Sequence, residues 1–66
     1  MKLTVNNQST DYAEGLTVRQ LLEQLGLAGQ YVAVERNREI VSHRVFDETV
    51  LQDDDTLEIV TLVGGG

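Results

Sequence analysis

Sixty-six residues make one small domain, near the lower end of what folds unaided, because a chain this short buries only about 60% of the surface its unfolded form exposes. With no cysteine there is no disulfide, thiol nucleophile, persulfide or cysteine metal cluster, so packing must carry the stability and any sulfur chemistry must use another group. Eleven acidic residues against five Lys and Arg give a net charge of −6, which keeps so small a domain soluble, argues against nucleic acid or anionic membrane as partners, and favours a basic protein partner.

Met1 to Asn6 lacks the apolar core of a secretory signal, and no apolar run in the chain reaches membrane-spanning length, so a cytoplasmic protein is expected. Leu3 and Val5 alternate with Lys2, Thr4 and Asn6, which predicts a half-buried first strand ending in the turn chemistry of Asn6-Asn7. Ser9 to Ala13 is predicted to return as its hairpin partner, on the weaker pattern of Tyr12 and Ala13 alone. Gly15 breaks the chain. Thr17 followed three residues later by Gln20 forms a capping box, and Val18, Leu21, Leu22 and Leu25 fall at i, i+3, i+4 and i+7, one apolar stripe that predicts a core-facing helix. Gly26 suits the left-handed residue that closes it.

Tyr31 to Glu35 reads as a strand, Asn37-Arg38 as a tight turn, and Ile40-Val41 as a short returning strand. Ser42 to Asp54 carries Val45, Phe46, Val50 and Leu51 in no sustained period, so an irregular segment with one helical turn is expected to tuck apolar groups under the sheet. Asp53-Asp54-Asp55 reads as a charged turn, and Thr56 to Val63 is the strongest strand signal in the chain. The order predicts an α+β domain over residues 1–63: a mixed sheet of about five strands with one main helix packed across it.

Gly64-Gly65-Gly66 has no side chains to pack and loses the most backbone entropy on ordering. A flexible tail over residues 64–66 is therefore expected. Without β-carbons it can thread a narrow channel and present a terminal carboxylate inside another protein's site; the bland account is a frayed end. The strand that feeds it carries apolar residues on both of its period-two faces, whereas a sheet covered by one helix needs only one. Val60 and Leu62, sharing a face with Glu58, are the candidate docking surface for a partner enzyme.

Other chemistry is weaker. Ser42 and His43 are adjacent in the sequence, so in an extended segment their side chains point apart and make a poor nucleophile and base. The three aspartates lack the spacing and central Gly of a calcium loop, and no phosphate-binding loop is present, so no bound metal or cofactor is expected.

The segment Val32-Ala33-Val34-Glu35-Arg36-Asn37-Arg38-Glu39-Ile40-Val41, then Asp55-Thr56-Leu57-Glu58-Ile59-Val60, then Val63-Gly64-Gly65-Gly66, together resemble the ThiS family, the sulfur carriers of thiamine biosynthesis. The likeness covers essentially the whole chain. It implies the ubiquitin-like β-grasp fold and a carrier that is itself no enzyme. In that cycle Gly66 is the modified residue, adenylated by an E1-like enzyme using ATP and converted to a thiocarboxylate, and Gly64 and Gly65 enter the partner's active site with it. The implied partners are that adenylating enzyme, a sulfur-donating protein and thiazole synthase, with the free chain a monomer. The chain departs from the family pattern in two places: Asp54 stands where Gly is common before the last strand, and Ser42-His43 follow the Ile-Val pair where Pro is frequent. The small carrier subunit of molybdopterin synthase is the nearest alternative, although such chains tend to be longer and to carry prolines, of which this one has none. A ubiquitin-like interaction module without tail chemistry is the alternative from a different class.

Overall fold

The computed structural model of the protein describes residues 1–62. Five strands form one mixed sheet in the order β2-β1-β5-β3-β4: β1 Lys2–Val5, β2 Gln8–Asp11, β3 Val32–Arg36, β4 Glu39–Val41 and β5 Thr56–Thr61. Helix α1, Val18–Gln24, packs on one face. β5 is central, parallel to β1 and antiparallel to β3. The other two pairings are hairpins, with registers Val5↔Gln8 and Arg36↔Glu39.

Both hairpin loops are two residues long, and a loop of that length needs left-handed backbone to match the strand twist. Asn6 and Asn7 have φ of 49° and 71°, and Asn37 and Arg38 have 51° and 71°. Asparagine tolerates that conformation better than most side chains, which is why both turns were readable. β2 begins one residue before the predicted strand and ends two short of it, and every one of its residues is exposed. It is an edge strand with no buried residue, so no burial imposed a pattern on its sequence.

The helix is capped as the sequence predicts. Thr17 Oγ1 accepts from the Gln20 N–H at 3.2 Å, and Gln20 Oε1 accepts from the Thr17 N–H at 3.0 Å. Gly26, with φ of 75°, follows the C-cap Leu25. Val18, Leu21 and Leu22 are buried, but Leu25 is partly exposed, because the helix ends there and its last side chain overhangs the core. The inward residues of the sheet, Leu3, Val5, Val34, Leu57 and Ile59, complete the core with Leu16, Phe46 and Leu51. Each full burial of a residue of this size is worth about 1.5–3 kcal/mol.

The segment from Ser42 to Asp54 contains a single 3-10 turn, His43–Val45. Of its four apolar residues, Phe46 and Leu51 enter the core while Val45 and Val50 remain partly exposed. It also supplies acceptors to the helix N-terminus, whose first amides have no partner within the helix. The Val18 N–H donates to the Thr49 carbonyl at 3.0 Å and the Arg19 N–H to the Phe46 carbonyl at 3.1 Å. Arg19 is ion-paired with Asp47 from the same segment.

Candidate functional site

With the helix on one face, the opposite face of the sheet is uncovered among the described residues. Along β5, Leu57 and Ile59 point into the core while Glu58 and Val60 point away from it. Val60 is 56% exposed and Leu62 53%, so the irregular segment does not wrap round to cover them. The cross-strand register adds neighbours that single-strand patterning could not show. Val60 lies opposite Ala33, and Glu58 opposite Glu35, which in turn lies opposite Ile40. One step further along, the Leu62 N–H donates to the Tyr31 carbonyl at 2.9 Å. Ile40 and Tyr31 are among the most exposed large apolar side chains, at 82% and 80%. The face thus presents apolar Tyr31, Ala33, Ile40, Val60 and Leu62 beside a pair of carboxylates, with Thr56 and Thr4 on the far side of the pair. Exposed apolar groups gathered on one face are the kind of surface that proteins commonly use for interaction.

Gly64, Gly65 and Gly66, together with Val63, lie outside the described residues, and the expectation of a flexible tail falls there too. What the structure fixes is the strand that delivers them. β5 is held by β1 on one side and β3 on the other, and its start is held by Asp55. That residue does more than the charged turn read from the sequence required: Asp55 is buried, at 6% exposure. Its Oδ2 accepts from Arg36 Nε at 2.7 Å and from the Gln52 N–H at 2.8 Å, and its Oδ1 accepts from Asn37 Nδ2 at 2.9 Å. The Asp55 carbonyl accepts from the Thr4 N–H at 3.0 Å, and Asn37 Oδ1 accepts from the Thr56 N–H at 2.9 Å. One carboxylate therefore ties the β3–β4 turn to the root of β5. Burial pushes the Asp55 pKa up, but the hydrogen bonds from Gln52, Asn37 and Arg36 and the Arg36 charge outweigh it and hold the group below the usual carboxylate range. The other two aspartates keep the turn role. Asp53 Oδ1 accepts from the Lys2 N–H at 2.7 Å, and Asp54 adopts the left-handed φ of 71°.

Ser42 and His43 do not form a catalytic pair. Ser42 Oγ accepts from the Arg44 N–H at 3.2 Å as the cap of the 3-10 turn, and the His43 ring sits edge-on to Phe46 with centroids 6.3 Å apart.

The sequence profile of the ThiS family matches residues 2–66. This chain belongs to the ThiS family. It is 32% identical to the sulfur carrier protein ThiS of Escherichia coli strain K12 over 66 residues, the whole of both chains. With the sulfur carrier protein ThiS of Bacillus subtilis strain 168 it shares 44% identity over 50 residues, 76% of each. The crystal structure of the thiamine biosynthesis protein ThiS from Geobacter metallireducens covers all of both chains, with a TM-score of 0.84 and 40% identity. The five-stranded mixed sheet with its single helix is accordingly the ubiquitin-like β-grasp fold of ThiS proteins. A thiazole synthase of Paramagnetospirillum magneticum is 42% identical over 66 residues, which are all of this chain but 20% of that protein. This chain thus spans about a fifth of the length of that relative.

Proposed function

We propose that this protein is a sulfur carrier of thiamine biosynthesis: a co-substrate whose Gly66 carboxylate is activated, sulfurated and then consumed by partner enzymes. The observation that carries this reading is the extent of the family match, which runs through residue 66 and so takes in the glycines. A carboxylate is a poor electrophile until one oxygen becomes a leaving group. In the proposed cycle a Gly66 oxygen attacks the α-phosphorus of ATP on an E1-like enzyme, and pyrophosphate departs. A sulfide-level nucleophile provided by a sulfur-donating protein then attacks the acyl carbon; the C–S bond forms, the C–O bond breaks, and AMP leaves with the electron pair. The activating enzyme supplies the charge stabilisation that both steps require.

The resulting thiocarboxylate passes its sulfur to thiazole synthase. That partnership is supported by the relative called thiazole synthase, one fifth of which is similar to this chain, because a carrier held in one polypeptide with its enzyme works at high effective concentration. The open sheet face, which carries Val60 and Leu62, docks the partners while Gly64 and Gly65 let the tail enter their sites. No helix among the described residues is long and apolar enough to cross a membrane, and a cytoplasmic carrier needing no bound cofactor fits the proposed cycle.

Intact-mass measurement after incubation with the adenylating enzyme, ATP and a sulfur source tests the proposal. The expected product is heavier by the exchange of one oxygen for sulfur, with the change mapped to Gly66. An unchanged mass, under conditions that charge the Escherichia coli relative, would overturn it. A variant extended by one residue beyond Gly66 is expected to remain uncharged, whereas an interaction module without tail chemistry would not distinguish the two chains.

A further inference from the structure

Glu35 and Glu58 stand directly opposite each other on neighbouring strands, β3 and β5, and both point to the open face. Two like charges in that relation repel and destabilise the sheet. Among the described residues, neither carboxylate has a hydrogen-bond or ion-pair partner. The one arginine within β3, Arg36, is turned to the other side and engaged by Asp55. On one side the neighbours of the pair are apolar, Ile40 opposite Glu35 and Val60 and Ala33 in the next row; on the other side Thr56, paired with Thr4 of β1, is polar and uncharged. A local cost at the border of an exposed apolar patch is a feature that folding alone gives no reason to keep.

We infer that the Glu35–Glu58 pair receives a guanidinium or ammonium group from the partner that docks on this face, and that the partner is thiazole synthase. The inference rests on the docking role proposed above and adds the chemistry of the occupant: an apolar surface flanked by one cation, preferentially an arginine. Arginine fits best because its planar fork can donate to two carboxylates at once and its faces pack on apolar neighbours. Docking excludes water around the pair, which strengthens the attraction, and the repulsion between the two carboxylates is relieved in the complex alone. The same arrangement provides specificity, since a partner without the cation would bury two unpaired charges.

The test uses the full chain and thiazole synthase from the same genome, with association followed by titration calorimetry at low and high salt and Tm measured in parallel. The variants are Glu35→Gln, Glu58→Gln and Val60→Asp. Each glutamine variant is expected to be more heat-stable than the parent, by about 1–4 °C, yet to bind about tenfold more weakly and with a shallower dependence on salt. Val60→Asp is expected to abolish binding. Glutamine variants that bind like the parent while Val60→Asp does not would overturn the inference and leave the docking face standing. A Val60→Asp variant that binds normally would overturn both. A fall in Tm accompanying weaker binding by the glutamine variants would assign the pair a structural role and also reject the inference.

Discussion

Asn6 takes the place of a missing strand residue beside Ile59: its Nδ2 donates to the Ile59 carbonyl at 3.0 Å and its Oδ1 accepts from the Ile59 N–H at 2.7 Å. β1 ends at Val5 while β5 continues to Thr61, so this amide satisfies two main-chain groups that would otherwise lack a ladder partner. Asn6→Gly keeps the left-handed turn but loses both bonds, and is expected to cost about 1–2 kcal/mol. Asn6→Ala should cost more, because a β-carbon is strained at a φ of 49°. Urea unfolding of the two variants separates the bonding from the conformational part.

The Asp55 carboxylate makes stability depend on pH in one direction. Its folded pKa is held below the unfolded value of about 3.9, so its contribution is complete above that value and is lost as pH falls toward the folded pKa. The urea midpoint is expected to be less sensitive to this group between neutral pH and about pH 5, and to decline below about pH 4. Asp55→Asn removes the charge that faces Arg36 and should cost about 1–3 kcal/mol at neutral pH. The variant should also show a shallower acid decline than the parent; parallel curves would assign the slope to other carboxylates.

Thr17 and Gln20 cap α1 reciprocally. Thr17→Ala is expected to lower unfolding free energy by about 1 kcal/mol. Thr17→Ser should retain most of it, because the serine hydroxyl reaches the same amide. Chemical denaturation of both variants checks the pair.

Asp54 adopts a φ of 71°, a conformation that costs a side chain energy and glycine almost none. Asp54→Gly gains by relieving that strain and loses part of the gain through a more flexible unfolded chain. A net stabilisation of about 0.5 kcal/mol is expected, read as a higher Tm at neutral pH.

Much of the fold was written in local chemistry. The capping box at Thr17, the Asn-led turns and the run of strand-favouring residues from Thr56 each carry a signal confined to a few neighbouring residues, and each forms where its residues predict, although β5 ends at Thr61. Leu25 misled because a helical stripe says nothing about where the core stops. Asp55 misled because it sits in a run of three identical residues, and its burial depends on Arg36 and Asn37, 19 and 18 positions away. The open face was legible only as a surplus of apolar residues at Val60 and Leu62. Its other members, Tyr31, Ala33 and Ile40, and the opposition of Glu35 to Glu58, depend on register between strands, which no single segment encodes.

The placement of β5 between β1 and β3 also has a mechanical consequence. An edge strand pulled from its end can peel away one hydrogen bond at a time. A strand flanked on both sides and drawn along its own axis loads its bonds together, in shear. Force applied beyond Leu62 by a partner drawing the chain into its site would thus be borne jointly by the β1 and β3 ladders and by the Asp55 anchor at the strand's root. The domain can act as a firm handle for its last residues while they are worked on elsewhere.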